Sequence, residues 1–240
     1  DNDNDNDNNN NNNNSSSSSS SNNNNFDDLI DWEAVKLDIE AEFESDPRYD
    51  DGTLAPIMIR LAWHSAATFD PSLQPYGGCN GATMRFNPEA SYHDNKGLEI
   101  AMNALEVVKK NHPTASYSDI WVLAGYAAVE SMRGPKIKFR PGRVDKSSGG
   151  DNCPPQERIP QWDESAAALR EKFGRMGLKD RDIVALSGAH SVGHTHEDHS
   201  GFPYHQWDNT PIVFDNTYYT FLLENWWFLD DEDRERVSVC

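Results

Sequence analysis

Three side chains in the string RLAWH could act together on a small substrate. If residues 60–64 are helical, Arg60, Trp63 and His64 are three and four positions apart and project from one face. An imidazole with a pKa of about 6.5 can accept and return a proton near neutral pH, and a fixed guanidinium can stabilise charge on a departing oxygen. This pair suits heterolytic cleavage of a peroxide bond. The alternative is an ordinary surface helix, with Arg60 and His64 solvated and Trp63 packed at the boundary.

A second group of candidate residues is a histidine cluster in the string GAHSVGHTHEDHSGFPYHQW. Five histidines fall within sixteen residues: His190, His194, His196, His199 and His205. Three interpretations compete: a zinc or other transition-metal site, a haem ligand with supporting groups, and a solvated polar loop. The HExxH pattern of zinc proteases is absent, because His196-Glu197 leads to His199 one residue early. His190 follows an apolar run at 183–186, which could supply the packed helix that a haem ligand needs.

Helical periodicity predicts the elements that hold these residues. Apolar side chains recur at three- and four-residue steps in segments 32–43 and 54–61. The second segment predicts a helix that begins after Thr53, tolerates Pro56 in its first turn and runs to about Thr68. Arg60, Trp63 and His64 would lie on this helix.

The rest of the chain also favours helices. We expect them at about 97–110, 117–131, 164–173 and 180–190. Residues 71–88 and most of 132–163 are rich in glycine, asparagine or proline and are expected to be loops, with one plausible short strand at Lys136–Arg140. The predicted fold is mainly α.

Composition limits the class of protein. The chain has 240 residues and 36% hydrophobic residues, and its mean hydropathy of -0.80 predicts no membrane span. With 40 acidic and 21 basic side chains the net charge is -19, which disfavours nucleic acid and favours basic partners. The three cysteines lack CxxC spacing, which fits a reducing intracellular compartment. Residues 1–25 contain only Asp, Asn and Ser, so we expect a disordered tail without a targeting signal.

Four strings, in the order RLAWHSAATFD, GGCNGATMRF, GPKIKFRPGRVD and DIVALSGAHSVGHTH, closely resemble motifs of one family. It is the intracellular, or class I, haem peroxidase family, which contains cytochrome c peroxidase and ascorbate peroxidase. The resemblance covers about residues 29–224. It implies a mainly α, haem-dependent peroxidase fold, with haem b between a distal region at 26–160 and a proximal region at 161–240.

The resemblance also assigns roles. His64 would take a proton from hydrogen peroxide and return it to the departing oxygen, while Arg60 stabilises the charge and Trp63 lies beside them. Asn95 would accept from the distal imidazole and orient it. On the proximal side His190 would bind the haem iron. His196 matches a haem-propionate contact, and Trp207 matches a tryptophan that can carry an oxidising equivalent.

A cation site beside this tryptophan is a further option within the family. The matching positions, whose hard oxygens would suit potassium or calcium, are Ser191, Asp208, Thr210 and Asp215. The two aspartates could equally be solvated loop residues. A bound cation would make a positive radical on Trp207 less favourable, because like charges would be close.

The chain departs from the family on the proximal side. The family's proximal histidine donates to an aspartate in a later segment that is not matched here, where only 50 residues follow His190. Asp230, Asp231 and Asp233 are possible substitutes, although they are expected to be solvated. We therefore expect a truncated chain whose proximal side is incomplete.

The electron donor is predicted from charge and from two missing residues. Ascorbate-using relatives carry an arginine and a lysine where this chain has His199 and Gly52, so an ascorbate site is not expected. The acidic residues Asp46, Asp50 and Asp51 would instead attract a basic protein such as cytochrome c. The alternative is that these acids only keep the protein soluble.

Two rival functions stay open at this point. One is a non-catalytic haem- or metal-binding fragment that keeps ligation without turnover. The other, more remote, is a serine hydrolase, because the string AHSVG resembles a variant nucleophile elbow with Ser191 as nucleophile.

Overall fold

The computed structural model describes residues 30–161 and 163–224, and this part of the chain is mainly helical. Its α-helices are α1 (Trp32–Glu42), α2 (Ala55–Ala67), α3 (Leu98–Asn111), α4 (Tyr117–Ser131), α5 (Ala166–Arg175), α6 (Asp180–Ser187), α7 (Glu197–Ser200) and α8 (Thr217–Glu224). Two short strands, β1 (His194–Thr195) and β2 (His205–Gln206), pair antiparallel. The mainly α prediction is confirmed. The tail at 1–25 and the aspartates at 230, 231 and 233 lie outside the described residues.

Short 3₁₀ helices interrupt the loops between these elements. They lie at Asp50–Gly52, Thr83–Arg85, Glu89–Ser91, His93–Asn95, Gly150–Asn152, Gln156–Arg158 and Gly188–Ser191. Two of them carry predicted site residues, because Asn95 ends one and His190 lies in another.

The prediction of a strand at Lys136–Arg140 is wrong. The segment has no regular secondary structure. The Phe139 ring packs edge-on against Trp32 of α1 and Tyr126 of α4, with ring centroids 5.0 and 6.3 Å apart. Pro135 and Pro141 flank it and cannot donate to a strand partner. Packing on helices therefore decides its conformation.

The core lies between α2 and α4, which make the most extensive helix contact of the described residues. Met58 and Leu61 of α2 and Trp121 of α4 are fully buried there. Gly125 of α4 permits the close approach, because a Cβ at this position would lie 2.6 Å from the Ala62 Cβ. The helix that carries Arg60, Trp63 and His64 is thus held tightly along one side.

A half-buried carboxylate, Asp145, and a buried one, Asp119, hold the loop at 134–145 against the start of α4. Asp145 accepts from the Tyr117 and Ser118 amides at 2.8 and 3.0 Å, where α4 begins. Asp119 accepts from the Arg143 guanidinium at 2.7 Å.

Within the described part of the chain, no helix is long and apolar enough to cross a membrane.

Candidate active site

The buried imidazole of His64 is held in one orientation by Asn95. The helix α2 begins and ends within one or two residues of the predicted bounds, and His64 on its third turn is only 8% exposed. His64 Nδ1 lies 3.0 Å from Asn95 Oδ1, while Asn95 Nδ2 donates to the Glu89 carbonyl at 2.9 Å. Because that second bond identifies the amide nitrogen, the Asn95 oxygen faces His64 and can only accept. The proton therefore lies on Nδ1, and Nε2 carries the lone pair.

Burial keeps this imidazole neutral. Desolvation, aided by the nearby Arg60 charge and opposed by the bond to Asn95, lowers the pKa of His64 to about 3. His64 is therefore a neutral base throughout the physiological pH range. The interpretation of His64 as a solvated surface residue is wrong.

Arg60 binds the same short turn as His64. Its guanidinium donates to the carbonyl oxygens of Asp94 and Lys96, both at 2.8 Å, on either side of Asn95. Burial lowers the pKa of Arg60, yet arginine stays charged at neutral pH. A fixed positive charge and a neutral base therefore belong to one hydrogen-bonded unit.

Trp63 points toward a different element. Its ring stacks on Phe173 of α5 with centroids 5.5 Å apart and an interplanar angle of 25°. Trp63 thus joins α5 to α2, while Arg60 and His64 bind the turn at His93–Asn95.

His190 lies at the end of α6, where the chain tightens into a 3₁₀ helix. Its Nδ1 donates to the Ser187 carbonyl at 3.0 Å, so Nε2 carries the lone pair, and burial lowers its pKa. The Trp207 ring meets it edge-on at 4.8 Å, and Tyr218 lies on another side at 5.6 Å. His190 is thus a neutral imidazole with one nitrogen available to a metal.

His196 is bound to a buried carboxylate that sequence reasoning misplaced. Its Nε2 lies 2.9 Å from Asp50 Oδ1, and the Tyr49 ring stacks on it at 5.0 Å. Burial raises the pKa of Asp50 to about 6, and His194 Nδ1 is 3.5 Å from the same carboxylate. The prediction that Asp50 is part of an acidic surface is wrong, because two histidines from the segment after α6 cover it.

No motif in the sequence predicts the contact between Asp50 and His196. Asp50 and His196 are 146 positions apart, and neither belongs to a motif with the other. Only the alternating histidines at 194 and 196 hint that one face of this segment has a polar partner.

The residues proposed for a cation differ in their surroundings. Ser191 is 1% exposed and its Oγ has no protein partner; Asp208 is 2% exposed and its Oδ2 has none either. Asp208 Oδ1 accepts from the Thr210 amide at 2.7 Å and hydroxyl at 3.1 Å. Asp215 is exposed and accepts from the Thr217 amide at 2.7 Å at the start of α8. The solvated interpretation therefore fits Asp215 and is wrong for Asp208.

Two buried oxygens without partners are what a hard cation would satisfy. The segments that carry them are joined, since the Gly193 amide donates to the Pro211 carbonyl at 2.8 Å. Ser191 and Asp208 are therefore the two predicted cation ligands whose buried oxygens lack a protein partner.

The same burial removes the hydrolase alternative. A nucleophile elbow presents its serine at an exposed turn between a strand and a helix. Ser191 instead follows helix α6 and is buried. The interpretation of Ser191 as a nucleophile is wrong.

The structure thus holds Arg60 and a neutral His64 on one turn, and a second neutral histidine, His190, against Trp207, which are the side chains that the peroxidase resemblance singles out. The model of the family described as Peroxidase matches residues 35–234. The chain therefore belongs to the peroxidase family.

Among curated relatives, the chain is 45% identical over 197 residues to a mitochondrial cytochrome c peroxidase of Neurospora crassa, covering 82% of this chain and 54% of that protein. It is 44% identical over 197 residues to the corresponding protein of Pyricularia oryzae, covering 82% and 53%. The resemblance to class I haem peroxidases is confirmed. The chain spans about half the length of these relatives.

Proposed function

We propose that this chain is a haem peroxidase that reduces hydrogen peroxide to water. The observation that carries the proposal is the His64–Asn95 bond, which leaves a neutral Nε2 beside the Arg60 charge. His64 takes a proton from one oxygen of hydrogen peroxide and returns it to the other oxygen, which departs when the O–O bond breaks. Arg60 stabilises the negative charge on that oxygen. Asn95 keeps the proton of the resting imidazole on Nδ1, so that Nε2 is always the base.

His190 and its hydrogen bond to the Ser187 carbonyl fit the binding of haem b on the proximal side. A metal-binding histidine usually donates its second N–H to a carbonyl or carboxylate, and His190 donates to the Ser187 carbonyl. When bound, haem iron supplies a Lewis acid and the electrons that peroxide cleavage requires. Trp207 lies against His190 and is the proposed residue for passing an electron. The division into a distal region at 26–160 and a proximal region at 161–240 is part of this proposal.

The distal chemistry is tested by His64→Leu in the haem-loaded chain. Positioned acid–base groups contribute about 10²–10⁴-fold in rate, so the second-order rate constant with peroxide should fall by that factor. The matched control is His93→Leu, because His93 is an exposed histidine on the turn that Arg60 binds, and it should change the rate less than about twofold. Equal slow rates in all three proteins would favour the non-catalytic haem-binding alternative.

We propose cytochrome c as the electron donor. The net charge of -19 and the names of the relatives support a basic protein partner. Asp51 is a better candidate contact than Asp46, because Asp46 is partly neutralised by Arg48 at 3.2 Å. Reduced cytochrome c should be oxidised quickly at low salt and more slowly above about 0.1 M salt, where the Debye length falls below about 10 Å. Oxidation no faster than by free haem at low salt would exclude this donor.

We propose potassium or calcium as the ion for Ser191 and Asp208. Ligands that bind only the native state raise its stability. Either chloride salt should raise the unfolding temperature of the parent chain above that in choline chloride, and Asp208→Asn should abolish the difference. An unchanged difference in that variant would remove the site.

We propose an intracellular, reducing location. Among the described residues, Cys79 and Cys153 are free thiols, and the curated relatives are named as mitochondrial. Alkylation of both thiols in protein isolated without reductant tests this; their recovery as a disulfide would contradict it.

A further inference from the structure

An exposed tyrosine lies against two histidines of the segment that follows α6. The Tyr204 ring stacks on the His194 ring, with centroids 4.4 Å apart and an interplanar angle of 7°. It also meets the His196 ring edge-on, at 5.4 Å between centroids. Tyr204 is 57% exposed, whereas the side chain of His194 is 4% exposed. One aromatic ring is therefore in contact with solvent and with two imidazoles of the candidate site.

Carboxylates from the turn before α2 hold both imidazoles in place. The buried Asp50 carboxylate lies 2.9 Å from His196 Nε2 and 3.5 Å from His194 Nδ1. Asp51 Oδ2 lies 3.6 Å from His194 Nε2. Both histidine rings are thus fixed against a distant part of the fold, and Tyr204 packs on a rigid support.

His196 connects this tyrosine to the proposed cofactor. The family resemblance assigns His196 to a haem propionate, and its ring is in contact with the Tyr204 ring. An electron that moves between the surface and the haem therefore crosses rings that already touch. Trp207 lies against His190 instead, so the two aromatic side chains approach the haem through different histidines.

A second tyrosine, Tyr49, stacks on the same imidazole at 5.0 Å between centroids. Desolvation raises the pKa of both phenols, so each is protonated at rest. Oxidation of a tyrosine to its neutral radical releases the phenol proton, which must be accepted by another group. Tyr49 is half-buried, whereas Tyr204 is exposed and can give its proton to water. Tyr204 is therefore the better suited of the two to repeated oxidation and reduction.

The surface around Tyr204 suits a donor of positive charge. The side chain of Asp51 is 45% exposed, and its charge acts on Tyr204 together with that of Asp50. Carboxylates at a surface attract a basic partner and orient it. A protein donor such as cytochrome c is too large to enter a haem pocket, so its electron must cross a side chain at the surface.

We propose that Tyr204 is the residue through which a protein donor passes electrons to the haem. This inference rests on the proposed peroxidase function, in which hydrogen peroxide is the oxidant. One peroxide takes two electrons and two protons and yields two waters, so two molecules of reduced cytochrome c are oxidised in each cycle. In each transfer the oxidised protein takes one electron from Tyr204, whose O–H bond breaks and whose proton goes to water. The donor then returns one electron and water returns one proton, which restores the phenol.

The test is radical trapping in the haem-loaded chain, treated with hydrogen peroxide and a nitroso spin trap without any donor. Peptide mapping by mass spectrometry should find the trap on Tyr204. Tyr204→Phe should abolish this adduct while keeping a ring that stacks on His194. The matched control is Tyr76, since it is 53% exposed and lies in the loop between α2 and α3. Tyr76 should stay unmodified in the same digest.

Stopped-flow oxidation of reduced cytochrome c gives a second readout. Tyr204→Phe should slow it by at least about 10-fold, which corresponds to about 1.4 kcal/mol of activation free energy. Tyr204→Trp keeps an oxidisable ring and should restore most of the rate. Tyr76→Phe should change the rate by less than about twofold.

Three results would overturn the inference. Equal trapping on Tyr76 and Tyr204 would indicate nonspecific oxidation of exposed tyrosines. A trap found on Trp207 alone would assign the transfer to the proximal side. Equal rates of cytochrome c oxidation by Tyr204→Phe and Tyr76→Phe would remove Tyr204 from the path. A parent chain that consumes no peroxide would instead refute the proposed peroxidase function, on which the inference rests.

Discussion

The hydrogen bond between His64 and Asn95 supports the proposed base, and Asn95→Ala removes it. The asparagine accepts from His64 Nδ1 at 3.0 Å and donates to the Glu89 carbonyl at 2.9 Å. The substitution would leave the buried His64 N–H without a partner, whereas the Glu89 carbonyl would still accept from the Tyr92 amide at 3.1 Å. It would also free the imidazole to place its proton on either nitrogen.

The cost follows mainly from the His64 N–H. Each buried polar group that loses its partner costs about 1–3 kcal/mol. Because only the His64 N–H loses its sole partner, we expect about 1–3 kcal/mol in total. For a chain of this length that loss lowers the unfolding midpoint by about 2–12 °C.

Urea unfolding and imidazole ¹⁵N NMR together measure the effect. The parent chain should show His64 with its proton on Nδ1 only, and Asn95→Ala should show both tautomers. The matched control is Asn111→Ala, which deletes an exposed asparagine bound to Asp38 at 2.9 Å and should cost less than about 0.5 kcal/mol. Equal losses in the two variants, or an unchanged tautomer in Asn95→Ala, would refute the reasoning.

Three further predictions concern stability and are measured by urea unfolding. Burial raises the pKa of Glu89 to about 7 from an ordinary 4.5, so its contribution to stability is present below pH 4.5 and lost as the pH rises through 7. Between pH 5 and pH 8 the free energy of unfolding of Glu89→Gln should rise by about 1–3 kcal/mol relative to that of the parent chain. Parallel pH profiles of the two proteins would contradict this. Asp119→Ala removes a buried acceptor from Arg143 and should cost about 2–4 kcal/mol; a loss below 1 kcal/mol would count against the role given to this carboxylate. Gly125→Val places a side chain where Ala62 already lies and should cost about 1–3 kcal/mol, and a neutral result would mean that α2 and α4 can separate freely.

Helices α1 to α6 could be predicted from the sequence, whereas the shorter α7 and α8 were not predicted. The bounds of α2 were predicted within two residues, because its apolar spacing and its early proline act locally. Arg60 and His64 were singled out by type and spacing alone. The contact of His64 with Asn95 was expected only from the resemblance, and the binding of Arg60 to the same turn was not predicted.

Long-range packing limited what could be predicted from the sequence about the candidate site. Asp50 looks like a surface acid in the sequence and becomes a buried partner of His196 because a distant segment covers it. Asp208 and Asp215 look alike, yet one is buried with an unpaired oxygen and the other begins α8. Neither outcome depends on neighbours in the chain, so no local pattern could distinguish them.

The central claim is that His190 and His64 have different roles toward one haem. It is tested most directly by haem titration followed in the Soret region, with the parent chain and His190→Gly. The account predicts one haem per chain with five-coordinate high-spin ferric iron, loss of that spectrum in His190→Gly, and its recovery when imidazole is added. A six-coordinate low-spin spectrum from two histidines, or an unchanged spectrum in His190→Gly, would contradict it.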